Sequence, residues 1–211
     1  LGQEDFLEIL AGRGPPQAGR VLVARPDGRF APVTGFRRAV RDGIAYLARD
    51  RRTTGIFPAL SVLDNFGIAS FARDCRMGLL HRPTRLRRYE VWRQRLSIVA
   101  PRPDAPITAL SGGNQQKVLL ARWLAREPRV LLLNDPTRGV DQRTRETLYE
   151  AFRALARDEG VAVVLLSTEI EEILRLCHRV LVFREGRVIA SFSGARMTSE
   201  GVIAAMFGQS A

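Results

Sequence analysis

The run Leu110-Ser111-Gly112-Gly113-Asn114-Gln115-Gln116-Lys117 carries the sharpest chemical signal in this chain. A serine and two glycines opening a helix make an anion site. The glycines admit a phosphate close to bare backbone N–H groups, the helix dipole favours negative charge, and Ser111 adds a hydroxyl donor. Read alone, Ser-Gly-Gly also fits a plain capped helix start behind a proline-rich loop. The residues downstream sharpen the choice. Val130-Leu131-Leu132-Leu133-Asn134-Asp135-Pro136 ends a strand-length apolar run in two polar side chains. That is the strand end where α/β proteins place ligands and hold a magnesium-bound phosphate. Thr137-Arg138-Gly139-Val140-Asp141 then turns into another helix, and the run Val161–Leu166 delivers Ser167-Thr168-Glu169 to the same edge. A phosphate loop of the form G-x-x-x-x-G-K-[ST] requires a lysine, and the single lysine, Lys117, falls inside the helix behind Ser111. These residues therefore contain no complete loop of that form.

The elements that must position these residues follow from periodicity. Glu4–Leu10 reads as a short helix closed by Gly12, Arg20–Arg25 as a strand, and Phe36–Arg41 as a short helix. Ile44–Ala48 reads as a buried strand broken by the charged run Arg49–Arg52. Between about Phe57 and Pro106 the pattern turns helical: Ser61 can cap a segment from Val62, and Leu86, Tyr89, Trp92 and Leu96 form a stripe. From Pro106 strands and helices alternate. Val130–Leu133 and Val161–Leu166 look like parallel strands covered on both faces, separated by helices over Gly113–Ala125, Gln142–Arg157 and Glu169–Leu176. Arg179–Phe183 and Val188–Phe192 flank Glu185-Gly186 as a hairpin, and Thr198 caps a last helix ending near Gly208. The expectation is an α/β domain with a mainly parallel core sheet, occupying 1–211, with a helical subdomain inserted at 57–110.

Composition narrows the class of partner. The 211 residues are 45% hydrophobic, enough for one sizeable core. The formal net charge of +11 favours anionic partners: nucleotide, nucleic acid or the inner face of a membrane. Arg82, Arg85, Arg87, Arg88, Arg93 and Arg95 crowd the stripe above, either as a solvated face or as a contact for a membrane protein or anionic headgroups. Two cysteines and two histidines argue against a disulfide scaffold and a metal cluster, and Cys177-His178 reads as an ordinary helix-end pair. Apolar runs are strand-length, well short of a spanning helix, and no secretory signal pattern opens the chain. A soluble intracellular protein, or one docked to a membrane through another component, is expected.

Taken together, Ser111–Lys117, Asn134-Asp135 and Pro136-Thr137-Arg138-Gly139-Val140-Asp141 closely resemble the ABC ATPase family in its sugar-importer branch (ribose, galactose and xylose type). There the signature commonly reads LSGGNQQK and the strand motif is followed by PTRGVD. The resemblance covers nearly the whole chain, and the step from Ser111 to Asn134 matches without a gap. It implies a P-loop NTPase-like fold and ATP with Mg2+ as cofactors, held mainly by a partner half. It also implies a second ABC half in the same polypeptide, membrane permease subunits, and indirectly a periplasmic or extracellular solute-binding protein. No nucleic-acid partner is expected, and the location implied is cytoplasmic, peripheral on the inner face of the cell membrane. Leu1-Gly2-Gln3-Glu4-Asp5-Phe6-Leu7 resembles the tail of the imperfect Gly-rich loop of a second half, so the chain is expected to be that half, truncated at its start.

The resemblance also assigns roles and exposes departures. Ser111, Gly112, Gly113, Asn114 and Gln115 would close over ATP held by the partner, and Asp141 would couple the two sites. The strand motif is normally Asp-Glu. Here Asn134 stands at the metal-organising position without its negative charge, and Asp135 is one methylene shorter than the glutamate that polarises water. Arg49 occupies a position that this branch tends to fill with Glu, and Glu169 replaces a histidine. The expected picture is a degenerate half-site, with Asp135 and Glu169 as its catalytic remnants and Asn134 as a weak metal ligand. The isolated fragment is expected to be inactive. Two other readings stay open: an ABC ATPase acting on nucleic acid or the ribosome, which the charge would suit, and a non-hydrolytic scaffold.

Overall fold

Most of these capped helices and apolar runs are present in the structure, a computed structural model that describes residues 2–25 and 27–208. Leu1, the first residue of the loop-like opening, lies outside the described residues. Helix α1 (Gln3–Leu10) is followed by a hairpin of β1 (Leu22–Ala24) and β2 (Phe30–Pro32), then α2 (Phe36–Arg41) and β3 (Ile44–Leu47). A single π-helical turn over Arg51–Gly55 leads to α3 (Val62–Gly67), the two-residue strands β4 (Cys75–Arg76) and β5 (Leu79–Leu80), and α4 (Arg82–Arg95). The rest alternates: α5 (Gly112–Leu124), β6 (Val130–Asn134), α6 (Gln142–Arg157), β7 (Ala162–Leu166), α7 (Ile170–Leu176), the hairpin β8 (Arg179–Arg184) and β9 (Arg187–Ser193), and α8 (Ser199–Met206).

Strands β3, β6 and β7 form a parallel sheet with β6 in the middle. Their chain order forces crossovers, and α6 supplies the one from β6 to β7. The central strand is sealed, with Leu131, Leu132 and Leu133 almost wholly buried. By contrast β7 is only half-buried, and Ala162 is exposed. The expectation of two covered faces thus holds for β6 and fails for β7, because an apolar run reports strand length but not what packs on it.

The chain divides into two compact units, one of residues 1–44 and 164–211 and one of residues 45–163. In the first, Val180, Val182, Val202 and Ala205 make a core joined by Ile170, Ile173, Leu174 and Phe192. Phe6 stacks obliquely on Phe183 at 5.2 Å. Gly2 caps α1 at φ 97°, and a side chain there would land 2.7 Å from Gly186 Cα, so both the turn and the close approach require glycine.

The second unit contains all of 57–110 together with α5, β6 and α6. Its helices are set by caps: Ser61, Ser111 and Asp141 each accept a backbone N–H from three residues on. Asn65, fully buried, donates to the carbonyls of Phe57, Leu60 and Ser61 and accepts from Phe57 N–H, closing the loop before α3. Arg122 on α5 is buried too. It donates to Asn65 O, Gly55 O and Asn65 Oδ1, and burial pulls its pKa down to about 10, which leaves it charged at neutral pH.

The arginine-rich helix α4 differs from its expected face. Tyr89 and Leu96 are buried as the stripe required, but Leu86 and Trp92 are only half-buried, and Arg85 lies inside. Arg85 binds Asp74 and Asp64, Arg88 binds the fully buried Asp74, Arg82 binds Asp104, Arg93 binds Glu90 and Arg95 binds Glu159. Five of the six arginines are therefore ion-paired within the chain, but only Arg85 is buried; Arg82, Arg87 and Arg95 stay on a solvated face. Charge counted along the sequence could not show which carboxylates the fold would bring to them.

Candidate functional site

The site grows from the two chain segments that leave the buried strands β3 and β6 and from the head of α5, all within the second unit. Ser111 is exposed and extended at φ −59°, ψ 156°, so the helix begins at Gly112. The amides of Gly112 and Gly113, in the first turn, have no acceptor within the helix. Ser111 Oγ accepts from Asn114 N at 3.4 Å and from Asn114 Nδ2 at 3.0 Å. Asn114 Oδ1 accepts from Val99 N at 2.8 Å, and Gln115 Nε2 donates to the carbonyls of Leu110 and Ile107. Asn114 and Gln115 thus brace the head, where Ser111 is exposed, Gly112 half-buried and Gly113 buried.

The glycines have work within the chain as well. A Cβ on Gly112 would lie 2.5 Å from Arg51 Nη2, and one on Gly113 would lie 2.7 Å from Thr144 Oγ1 and 3.2 Å from Asp141 Oδ2. The sequence offered only a phosphate as the reason for bare backbone here. The structure adds an arginine over the first glycine and the α6 cap against the second. Asp141 accepts from Thr144 N at 2.9 Å and from Thr144 Oγ1 at 2.8 Å, and those bonds hold its carboxyl below the usual carboxylate range. Lys117 is buried one turn into the helix with Nζ donating to Ser97 O, and desolvation lowers its pKa. It cannot serve as a phosphate-binding lysine from there.

The end of β6 is a different environment. Asn134 and Asp135 are both buried, and Asp135 turns the chain at φ 44°. Asn134 Nδ2 donates to Tyr46 Oη at 3.4 Å. Arg49, just beyond β3, places Nε 3.0 Å from Asp135 Oδ2. Gln116 Nε2 ties the turn to α5 through Pro136 O at 2.7 Å. Magnesium prefers several anionic oxygens in octahedral array. Here a neutral amide and a carboxylate already compensated by a guanidinium are on offer, and the described residues hold no group of three His, Cys, Asp or Glu suited to a metal. The donor set does not fit the ion.

Glu169 lies in the first unit, exposed at the N-terminus of α7, with its N–H donating to Ser167 Oγ at 3.0 Å. Cys177 carries no thiolate chemistry, since burial pushes its thiol up to about 11. The structure therefore brings together Ser111, Gly112, Gly113, Asn114, Gln115, Asp141, Asn134 and Asp135, and adds Arg49, Arg51 and Tyr46. Sequence reasoning noted Arg49 only as an altered position and passed over Arg51. A charged run directly behind a buried strand was the available signal.

The layout is that of an ATP-binding cassette: an open parallel sheet, a glycine-headed helix beside the central strand, and a polar strand end. A dimeric post-hydrolysis structure of the ATP-binding cassette MJ0796 bound to ADP and Pi superposes with a TM-score of 0.75 at 22% identity, covering 91% of this chain and 80% of that one. Residues 2–138 match the model of the ABC transporter family, and the chain belongs to that family. The chain is 38% identical over 206 residues to a ribose import ATP-binding protein, RbsA 1, of Rhizobium johnstonii, covering 97% of this chain and 40% of that protein. It is 39% identical over 206 residues to RbsA 2 of Burkholderia pseudomallei, covering 96% and 39%. The chain thus spans about two-fifths of the length of the curated relatives it matches. No helix among the described residues is long and apolar enough to cross a membrane.

Proposed function

We propose that this chain is one of two nucleotide-binding halves of an importer ATPase that drives uptake of ribose or a related sugar. It supplies the Ser111–Gln115 signature to ATP held by a partner half. The observation that carries this reading is the contrast within the site: an exposed Ser111 at a glycine-headed helix start whose first amides have no acceptor within the helix, and a strand-end carboxylate held by Arg49. First-turn amides and a hydroxyl at a fixed helix head are preorganised donors for charge on a transferred phosphoryl group. Asp135, bound to a guanidinium, is a poor group to polarise water, and Asn134 is a poor magnesium ligand. Asp141 would couple the two sites, Glu169 would be a remnant of the hydrolytic edge, and Mg2+ would be held mainly by the partner. The lobe 57–110 would meet the permease, which places the protein peripherally on the inner face of the cell membrane. The relatives named for ribose import support the substrate class. The internal pairing of the α4 arginines weakens the nucleic-acid alternative.

The test uses the assembled transporter. Ser111→Arg should lower ATP turnover by about 10²-fold or more, whereas Asp135→Asn should change it little. Equal losses from both would refute the asymmetric site.

A further inference from the structure

Arg51 is a cation placed at the positive end of α5, a position the helix dipole disfavours. Its guanidinium is held there by two carbonyls of a different segment: Nη1 donates to Arg138 O at 3.0 Å and Nη2 to Gly139 O at 3.4 Å. The same Nη2 would lie 2.5 Å from a Cβ on Gly112, so the group rests on the first residue of the helix. Residues 138 and 139 belong to the turn that carries Asp141, whose carboxylate in turn caps α6 and abuts Gly113. One planar side chain therefore touches both parts that must keep register: the helix head at Gly112, next to the exposed Ser111, and the loop leading to Asp141.

We infer that Arg51 is a positioning residue for the signature, clamping the Arg138–Gly139 turn to the head of α5 so that Ser111 Oγ and the first amides stand at a fixed place. This rests on the proposed role of that head. The fork is what matters. A guanidinium spans two neighbouring carbonyls, while an ammonium is a point donor that satisfies one at a time. Gly112 admits the guanidinium because it has no side chain to push it aside.

The experiment uses the assembled transporter with Arg51→Ala and Arg51→Lys, and with Arg51→Gln as a milder variant where the first fails to assemble. Without nucleotide, hydrogen exchange at the Arg138 and Val140 amides should speed up about tenfold, the worth of one lost hydrogen bond, with Leu131–Leu133 unchanged. With ATP, kcat should fall toward the 10²-fold scale of an ångström-level misplacement. KM should hold, since the partner retains the nucleotide, and Arg51→Lys should not rescue. Unchanged exchange and unchanged kcat would overturn the inference. A fall in kcat without faster exchange would overturn it too, because Arg51 would then act on the nucleotide itself. Faster exchange with ATPase indifferent both to Arg51→Ala and to Ser111→Arg would locate the failure in the proposed role of the signature, and the inference would fall with it.

Discussion

The head of α5 and the end of β6 sit side by side, and each presents polar groups at the edge of a sealed core, yet they are finished in opposite ways. At the helix head the braces lie behind: Asn114, Gln115 and Gln116 bond to carbonyls, an amide and a hydroxyl of the chain, leaving Ser111 exposed. At the strand end the brace lies in front, where Arg49 covers the carboxylate of Asp135. An anion approaching the first meets the exposed Ser111 and a guanidinium of the opposite sign, Arg51, over Gly112. A cation or a nucleophilic water approaching the second must compete with a guanidinium. The difference shows that covering a strand-end carboxylate with a guanidinium need not loosen the helix head, because the two are supported by different residues.

The sharpest way to break this comparison is to overfill the head. Gly113→Ala puts a methyl 2.7 Å from Thr144 Oγ1, and because that oxygen is fixed by Asp141 it has little room to yield. A loss of about 2 kcal/mol in unfolding free energy is expected, the usual scale of overpacking, read from urea midpoints. Thr144→Ala in the same molecule should recover part of it, because the colliding oxygen and methyl are gone. Purely additive losses would mean that the glycine serves something other than the α6 cap.

A smaller effect tests the strand end. Arg49→Gln takes a guanidinium from a buried carboxylate, whereas Asp135→Asn leaves behind a half-exposed guanidinium that water can solvate. The first should therefore destabilise more, by about 1–1.5 kcal/mol, and the second by less than about 1 kcal/mol. The reversed order would show that the pair does not close the site as described.

How much of this was legible beforehand differs between the two regions for the same physical reason. The head of α5 is local: the Ser111 cap, the glycines and the helix start all lie within a few adjacent residues, so type and spacing were sufficient. Helix α6 and the hairpin β8–β9 were legible on the same grounds, one from the turn through Gly139-Val140-Asp141 that leads into it and the other from Glu185-Gly186. The strand end is non-local. Asn134 and Asp135 could be placed at the end of an apolar run, but their partners Tyr46 and Arg49 come from a strand more than eighty residues earlier. The burial of Arg85 and Arg122 was hidden likewise, since nothing in an arginine's neighbours announces a distant carbonyl or carboxylate. The short hairpin β4–β5 and the strand β2 carry too few residues for any alternation to register.

The finest test concerns Asp141, which links the head of α5 to the loop after β6. Its carboxyl is held below the ordinary range first by the Thr144 N–H and then by the Thr144 hydroxyl. A carboxylate with a depressed pKa in the folded state adds stability above its unfolded pKa and loses it as pH falls through the folded value, because the unfolded chain takes up the proton first. Thr144→Val keeps the N–H and removes the hydroxyl. The Asp141 carboxyl should then titrate at a higher pH than in the parent, followed by carboxyl NMR, and its contribution should be lost earlier on acidification. The Arg49–Asp135 ion pair and the Thr144 hydroxyl bond are separate contacts, so the stability losses of Thr144→Val and Arg49→Gln should add in the double variant. A double variant that departs from the sum would show that the helix head and the strand end are one unit, and the contrast between them would not stand.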